Sequence, residues 1–306
     1  MQKSLCSITD LSKDEMLQIM RRADDFKKEL MAKGKTDPVL TGKIIGTLFF
    51  EPSTRTQESF KSAAHRLGAK TQGFAQSAGT SLEKGESFYD TVMTMSRYCD
   101  LLVIRTPWAG SQSAISEKIN IPLINAGDGA NQHPSQTMLD LYSIQETQGR
   151  LDNLAITIVG DLKYGRTVHS LVRAMTNWKT RFNFVSPAGL ELPPEDKAFL
   201  REKNLEFIET RDMAAAVRDA DIVYMTRIQR ERFADQMEYE RARGTYVFDN
   251  AMLEGTKDNL KILHPLPRVN EIHPEVDSDP KAYYFDQAEN GVYTRMALLC
   301  HLLDKG

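Results

Sequence analysis

The alternation of short apolar runs with longer helical stretches limits the fold of this chain more than any other feature of its sequence. The apolar runs typical of buried strands cover residues 44–50, 101–104, 122–124, 155–159, 182–185, 222–225 and 262–263. Helical stretches are predicted at residues 54–67, 88–98, 134–148, 167–176 and 287–303. Ser12 followed by Glu15 is a capping-box pattern, which predicts a first helix running toward residue 32. Because strands that alternate with helices build parallel sheets covered on both faces, the sequence predicts an α/β fold.

One long helix divides this alternation into two halves. Pro134 suits the first position of that helix, and Gly149 suits the position that ends it. With 306 residues, the chain is too long for one simple core and about right for two α/β domains. We therefore predict two doubly wound parallel-sheet domains linked by helices. The expected divisions are residues 1–133 with 287–306 for the first domain, 134–150 for the interdomain helix and 151–286 for the second domain.

The composition argues against several classes of protein. Hydrophobic residues make up 41% and charged residues 26%, and the net charge of -3 gives no indication of a nucleic-acid or membrane surface. The three cysteines, Cys6, Cys99 and Cys300, are odd in number and lack CxxC spacing, so neither a disulfide framework nor a zinc site is predicted. A reduced cytoplasmic setting fits best. No signal peptide is visible, and no apolar run approaches the roughly 18–20 residues that span a bilayer.

The strongest chemical signal is the segment Phe-Phe-Glu-Pro-Ser-Thr-Arg-Thr at residues 49–56. A buried strand ends here and a helix begins, so free backbone N–H groups and the helix dipole favour an anion. The hydroxyls of Ser53, Thr54 and Thr56 add hydrogen-bond donors. Arg55 adds a forked cation suited to phosphate. Taken singly, Ser53 fits a simple helix cap and Arg55 a solvated side chain, but four such residues in a row favour an anion site.

A glycine-bearing loop at residues 127–136 brings His133 to the start of the long helix. Loops at the carboxyl ends of parallel strands are where such folds bind ligands. Gln136 lies one helical turn from His133, so both side chains can face the same crevice. The alternative is that His133 only caps the helix.

Three polar segments follow strands in the second half of the chain. Residues 264–268, His-Pro-Leu-Pro-Arg, hold two prolines that fix the backbone, which either presents carbonyls to an amine or forms a stiff loop. Residues 160–167 come close to the phosphate-loop pattern, but Arg166 stands where that pattern has lysine. Two interpretations of this segment stay open: a nucleotide-binding site, or a loop that presents Arg166 to a carboxylate. Arg227 and Gln229 project from another strand end, although each alone is typical of a solvated side chain.

These segments suit a dianion bound by the first domain and a dicarboxylate bound by the second. Their residues resemble the aspartate carbamoyltransferase family over nearly the whole chain, at residues 53–56, 133–136, 160–171, 226–229 and 264–268. Pro265 separates the aspartate type from the ornithine type, which has cysteine after the corresponding histidine. The resemblance implies transfer of a carbamoyl group from carbamoyl phosphate to L-aspartate, in pyrimidine biosynthesis, with no metal or organic cofactor.

The resemblance also implies roles for individual residues. Those implied to act in catalysis are Arg55, Thr56, Arg105 and His133. Those implied to bind carbamoyl phosphate are Ser53, Thr54, Arg55, Thr56, Arg105, His133, Gln136, Leu266, Ser81 and Lys84. Those implied to bind aspartate are Lys84, Arg166, Arg227, Gln229 and Pro267.

The family further implies an assembly. Ser81 and Lys84 would reach the site from a neighbouring subunit, so a homotrimer with shared active sites is expected, and regulatory chains join some members in a larger holoenzyme. Glu51 resembles the interdomain carboxylate that pairs with Arg166 and Arg232 on closure.

The sequence departs from the family pattern at two positions. Gln57 stands where many members have a second arginine, and Thr106 where many have histidine. Neither position is a core ligand in the family, so the departures bear on affinity and loop packing.

Three other functions stay open at this point. The carbamoyl donor site is common to the superfamily, so a different amine acceptor such as ornithine is one alternative, although Arg166 and Arg227 favour a dicarboxylate. Residues 160–167 motivate a nucleotide hydrolase. A non-catalytic scaffold or regulatory relative is the third alternative, and the intact Arg55 and His133 argue against it.

Overall fold

Two separate parallel sheets organise the chain, which this computed structural model describes over residues 3–228 and 235–305. One sheet belongs to a unit formed by Met1–Tyr142 with Glu289–Gly306, and the other to a unit formed by Ser143–Ala288. Helices α5 (Pro134–Gln148) and α10 (Tyr284–Leu302) contribute residues to both units.

The first unit contains four parallel strands in the order β2-β1-β3-β4. These strands are β1 (Ile44–Phe49), β2 (Lys70–Phe74), β3 (Leu101–Thr106) and β4 (Leu123–Asp128). Its other helices are α1 (Lys13–Lys33), α2 (Thr54–Arg66), α3 (Phe88–Met95) and α4 (Ser111–Ser116), with short 3-10 helices at Ile8–Asp10 and Ser81–Lys84. Strands β1, β3 and β4 are buried along almost their whole length, as expected for apolar strands covered on both faces.

The second unit contains five parallel strands in the order β7-β6-β5-β8-β9. These strands are β5 (Leu154–Val159), β6 (Thr180–Val185), β7 (Phe207–Thr210), β8 (Ile222–Met225) and β9 (Lys261–Leu263). Its other helices are α6 (Arg166–Met175), α7 (Pro194–Glu202), α8 (Met213–Arg218) and α9 (Gln236–Ala242), with short 3-10 helices at Asn250–Leu253 and Pro274–Ser278. The predicted α/β class with two parallel sheets is confirmed.

Strands β2 and β7 were not predicted from the sequence. Each lies at an open edge of its sheet and pairs on one side only, β2 with β1 and β7 with β6. An edge strand keeps part of its surface in water, so it does not need a continuous apolar run. Ile208 in β7 is exposed, which illustrates the difference from the central strands.

The predicted ends of α1 and α5 agree with the structure. The Ser12 hydroxyl accepts a hydrogen bond from the Glu15 amide at 3.3 Å, and the Glu15 carboxylate accepts one from the Ser12 amide at 2.9 Å. This reciprocal pair is the predicted capping box. Helix α5 begins at Pro134, and Gly149 follows its end with a φ of 68°. None of the helices in the described part of the chain combines the length and hydropathy that a membrane-spanning segment needs.

Asp221 joins the amino-terminal ends of neighbouring strands in the second sheet. Its buried carboxylate accepts hydrogen bonds from the Ala155 amide and the Asn259 side-chain amide, both at 2.9 Å, and lies 3.0 Å from Lys257 Nζ. Its carbonyl accepts the Lys261 amide at 3.0 Å. Burial alone raises the pKa of this carboxyl group. The hydrogen bonds and the Lys257 charge outweigh burial and hold the pKa below its ordinary value of 3.8.

The variant Asp221→Asn is expected to destabilise the second unit by about 1–3 kcal/mol at neutral pH, because an amide cannot accept all of these bonds. A carboxyl group with a lowered pKa contributes stability above its ordinary pKa, and that contribution is lost as the pH falls through the lowered value. The difference in the free energy of unfolding between this variant and wild type should therefore stay constant from about pH 7 to pH 5 and shrink below about pH 4. Urea unfolding followed by the fluorescence of the buried Trp178 measures it.

The matched control is Asp219→Asn, because Asp219 is 75% exposed and lies 3.7 Å from Arg181. This control should stay within about 0.5 kcal/mol of wild type. Equal losses in both variants would contradict a special role for Asp221.

Candidate active site

In the first unit, the residues predicted to bind an anion follow three adjacent strands. Strand β1 pairs with β3 so that Phe49 lies opposite Arg105, and the Phe50 amide donates to the Arg105 carbonyl at 2.8 Å. Strand β4 pairs with the other side of β3. Because parallel strands end at the same edge of a sheet, residues 53–56, Arg105 and the loop at 128–133 share this edge. The three segments are therefore neighbours in space, although they are distant in sequence.

Ser53 occupies the N-cap position of α2, but its hydroxyl does not cap the helix. Instead, Ser53 Oγ donates to Thr56 Oγ1 at 3.1 Å. Thr56 is buried, whereas Thr54 and Arg55 are exposed. The alternative that Ser53 serves only as a helix cap is therefore wrong. A helix start whose serine does not cap it favours an anion as the partner of its first N–H groups.

Arg105 lies at the end of β3 with a side chain that is only 11% exposed. Its Nη1 donates to the Ala126 carbonyl at 3.4 Å, and its Nη2 lies 3.4 Å from Glu51 Oε1. The sequence did not predict this pairing of Glu51 within the first unit. The pairing of Glu51 with Arg166 and Arg232 stays a prediction, and Arg232 lies outside the described residues.

Asp128, the last residue of β4, arranges the loop that leads to His133. Its carboxylate accepts hydrogen bonds from the Gln132 amide, the Gly110 amide and the Asn131 side chain, each at 2.8 Å. Sequence reasoning missed Asp128. The signal was available, because aspartate beside glycine is typical of a turn whose side chain binds nearby amides.

His133 and Gln136 are both buried at the start of α5. His133 Nδ1 lies 3.4 Å from the Ser135 hydroxyl. Gln136 Nε2 donates to Asp140 Oδ1, one helical turn further along, at 2.9 Å. Because Asp140 takes the amide nitrogen, Gln136 keeps its carbonyl oxygen available as an acceptor for an N–H group. Asp140 is a further residue of the site that the sequence did not reveal.

Ser81 and Lys84 lie on the short 3-10 helix that follows β2, and both are exposed. The segment is attached to the end of β1, because Ser77 Oγ donates to the Phe50 carbonyl at 3.3 Å. The predicted origin of Ser81 and Lys84 from a neighbouring subunit stays a prediction.

The second unit repeats this arrangement at the carboxyl ends of β5, β8 and β9, which are neighbours in the sheet. Residues 160–166 follow β5, Arg227 follows β8 and residues 264–268 follow β9. Thr226 joins the first two segments, because its Oγ1 accepts the Asp161 amide at 3.1 Å and donates to the Val159 carbonyl at 3.0 Å. The three predicted segments therefore share one edge of the second sheet.

Gly160 allows the backbones of these segments to approach closely. Its φ is 120°, and a Cβ there would lie 2.3 Å from the Thr226 carbonyl oxygen. A side chain at this position would force β5 and β8 apart where Arg166 and Arg227 enter the site.

Arg166 and Arg227 are both half-buried. Arg166 is the first residue of α6, a helix whose N-cap, Gly165, offers no side chain. Arg227 lines a small cavity of about 40 Å³ together with Tyr246 and Glu271. Gln229 lies outside the described residues.

Leu266 and Pro267 follow β9 with an unusual backbone. The Leu266–Pro267 peptide is cis, and Leu266 has a φ of 55°, in the left-handed region that disfavours residues other than glycine. Leu266 therefore has a backbone conformation that few residues other than glycine adopt. Throughout residues 3–228 and 235–305, no group of three or more histidine, cysteine, aspartate or glutamate side chains is arranged to hold a metal ion.

Arginines and helix starts gathered at the carboxyl ends of parallel strands are typical of α/β enzymes that act on anionic substrates. Residues 3–146 match the model of the aspartate/ornithine carbamoyltransferase carbamoyl-P binding domain, and residues 152–302 match the Asp/Orn binding domain of the same family. The chain therefore belongs to the aspartate/ornithine carbamoyltransferase family.

Similar proteins of known name and structure support this assignment. The chain is 52% identical to an aspartate carbamoyltransferase catalytic subunit of Bacteroides fragilis, covering 98% of this chain and 96% of that protein. It is 48% identical to a catalytic subunit of the same name from Thermococcus onnurineus, covering 97% and 96%. The structure matches the catalytic subunit of M. jannaschii aspartate transcarbamoylase with a TM-score of 0.91, 44% identity and 99% coverage of both chains. It also matches Trypanosoma cruzi aspartate transcarbamoylase in complex with carbamoyl phosphate and aspartate, with a TM-score of 0.92, 32% identity and coverage of 97% and 96%.

Proposed function

We propose that this chain transfers the carbamoyl group of carbamoyl phosphate to L-aspartate, giving N-carbamoyl-L-aspartate and phosphate, in pyrimidine biosynthesis. The observation that carries the proposal is the division of cationic groups between two sheet edges, inside a family whose similar members are aspartate carbamoyltransferases. One edge has the uncapped start of α2 and Arg105, which suit a phosphate. The other has Arg166 and Arg227, which suit a small diacid. The chain is thus a transferase.

The phosphate-binding part of the carbamoyl phosphate site is assigned to the first domain. Its phosphate would be held by Ser53, Thr54, Arg55, Thr56 and Arg105, with Ser81 and Lys84 added from a neighbouring subunit. The carbamoyl oxygen would accept hydrogen bonds from Thr56, Arg105 and His133. The carbamoyl nitrogen would donate to the Gln136 side chain and to the Leu266 carbonyl. The acceptor oxygen of Gln136, left available by its bond to Asp140, supports this role.

The aspartate site is assigned to the second domain. Its ligands would be Lys84, Arg166, Arg227, Gln229 and the Pro267 carbonyl. In the reaction, the aspartate amine attacks the carbamoyl carbon, a C–N bond forms, and the bond from that carbon to the phosphate oxygen breaks. Phosphate leaves with the bonding electrons and accepts the proton of the amine. Thr56, Arg105 and His133 are donors placed for the negative charge that develops on the carbamoyl oxygen.

The proposed assembly is a homotrimer with active sites shared between subunits, with regulatory chains as further candidate partners. The proposed setting is the cytoplasm, which the three buried free thiols of Cys6, Cys99 and Cys300 support. The three domain divisions predicted from the sequence belong to the same proposal. The family match leaves the nucleotide-hydrolase interpretation of residues 160–167 without support.

The test is a colorimetric assay for carbamoyl aspartate, run with aspartate and with ornithine as acceptor. Aspartate is expected to give much the higher kcat/KM, because two arginines match its two carboxylates. The variant Arg227→Met should raise the KM for aspartate about 10- to 100-fold, the loss expected for one charged hydrogen bond, while the KM for carbamoyl phosphate changes little.

The matched control is Arg218→Met, which removes an exposed arginine of the same unit. It should leave both KM values unchanged. Absence of carbamoyl aspartate at millimolar substrates, or a higher kcat/KM with ornithine, would reject the proposed function.

A further inference from the structure

His264, the residue directly after β9, is buried in a network that the reaction above does not use. It is 2% exposed, and its Nε2 lies 2.8 Å from Oε1 of Glu271, which is 7% exposed. Its Nδ1 lies 2.7 Å from the Leu266 amide nitrogen. Its own amide donates to Gln287 Oε1 at 2.8 Å. Both ring nitrogens of His264 are therefore bound within the second unit.

The two contacts of the ring fix its protonation state. A backbone N–H can only donate, so Nδ1 must accept the bond from Leu266 and carries no proton. The ring proton then lies on Nε2 and is donated to Glu271. His264 is thus a neutral imidazole of defined tautomer, oriented by a carboxylate.

Glu271 is held as a carboxylate by the groups around it. Its second oxygen, Oε2, accepts the amides of Val269 and Asn270, each at 3.1 Å. Burial raises the pKa of this carboxyl group, but the bond from His264 and the backbone amides outweigh burial and hold the pKa below its usual range. Glu271 therefore anchors both the His264 ring and the chain that returns from the loop at 264–268.

The loop needs such an anchor at Leu266. The left-handed φ of 55° at Leu266 is unfavourable for a residue other than glycine, so surrounding contacts must hold it. The Leu266 side chain packs against the core cluster of the second unit. The bond to His264 Nδ1 holds its amide. Together these contacts set the direction of the Leu266 carbonyl.

We propose that His264 is a positioning residue, whose Nδ1 holds the Leu266 amide and so aims the Leu266 and Pro267 carbonyls at the reacting nitrogens, while Glu271 orients its ring. This inference rests on the proposed function, because it assigns those two carbonyls to the carbamoyl nitrogen and the aspartate amine. His264 itself is not among the proposed ligands of either substrate.

Two substitutions separate the two ring nitrogens. His264→Asn keeps an acceptor near the position of Nδ1 and loses the contact to Glu271. His264→Gln keeps a donor near the position of Nε2 and loses the acceptor for Leu266. The glutamine variant should lower kcat about 10- to 100-fold, as expected when a reacting group is misplaced by an ångström or less, and the asparagine variant should retain clearly more activity.

Inhibition by inorganic phosphate should be unchanged in both variants, because the proposed phosphate ligands lie in the other unit or on a neighbouring subunit. A loss confined to kcat, with native thermal unfolding, distinguishes positioning from a structural defect. A glutamine variant with wild-type kcat would overturn the inference. So would equal losses in both variants when both unfold like wild type.

A measurement on the unmodified protein does not depend on any variant folding. The measurement uses ¹⁵N-labelled protein bound to N-(phosphonacetyl)-L-aspartate, a compound that combines features of both proposed substrates. NMR should detect a coupling across the hydrogen bond between the Leu266 amide nitrogen and His264 Nδ1. It should also show that the ring carries a proton on Nε2 alone. A ring protonated on both nitrogens, or the absence of that coupling, would overturn the inference. If the wild-type enzyme made no carbamoyl aspartate, the proposed function would fail while this spectroscopic result still reported the His264 geometry.

Discussion

Replacing Arg105 with methionine is expected to lower kcat about 100- to 1000-fold, the usual loss when one donor to a developing oxyanion is removed. The guanidinium lies at the end of β3 with only 11% of its side chain exposed, so water cannot readily take its place. Its bonds to the Ala126 carbonyl and to Glu51 hold it in one orientation before substrate arrives. Steady-state formation of carbamoyl aspartate measures the effect.

Two further variants sharpen this experiment. Arg105→Lys keeps the charge but loses the forked geometry, so it should recover only part of the activity. Arg97→Met removes an exposed arginine from the same unit and should keep wild-type kcat. Activity of Arg105→Met within about 10-fold of wild type would contradict a role for Arg105 at the carbamoyl oxygen.

The second large effect is expected on stability, from Arg295→Met. Arg295 lies on the part of α10 that belongs to the first unit. Its Nη1 donates to Ser59 Oγ on α2 at 2.9 Å, and its guanidinium lies 5.0 Å from the centroid of the Phe60 ring. Burial lowers the pKa of Arg295 to about 10, against the opposing charge of Asp140, so the side chain is still charged at neutral pH. Asp140 on α5 is fully buried. Removing one member of a buried charge pair typically costs about 3–5 kcal/mol.

Urea unfolding followed by circular dichroism measures this loss. The double variant Asp140→Asn with Arg295→Met should be more stable than the single Arg295 variant, because no uncompensated buried charge is left. Arg97→Met is again the matched control and should change stability by less than about 0.5 kcal/mol. A single Arg295 variant within about 1 kcal/mol of wild type would contradict the role of this arginine.

Central strands could be predicted because burial on both faces leaves a continuous apolar run, as in β1 and β5. Strands β2 and β7 could not, because their residues are exposed or half-buried and their partly polar sequences leave no continuous apolar run. The helix starts at Ser12 and Pro134 were predicted from capping chemistry, which acts within one turn.

In the candidate site too, residues marked by a local sequence pattern could be proposed, whereas partners distant in sequence could not. Residues 53–56, His133, Arg166 and Arg227 could be proposed as candidates because each lies a few residues after the end of a predicted strand. The partners that hold them were not. The charge of Asp140 acts on Arg295, which lies 155 positions further along the chain, and only the fold brings the two charges near each other. Glu271 was missed because nothing near it in sequence marks the ring of His264 as its partner.

The missing side-chain cap of α2 couples the binding of substrate to the stability of the protein. The Ser53 hydroxyl donates to Thr56 and does not cap α2. The proposed phosphate would therefore accept hydrogen bonds from the first N–H groups of this helix, as a serine cap does in other helices. Any ligand that binds only the native form also resists its unfolding, and more so as its concentration rises. Carbamoyl phosphate, and the phosphate released from it, would then protect the very helix that recognises them, so the resting enzyme would be most vulnerable to heat when its donor is scarce.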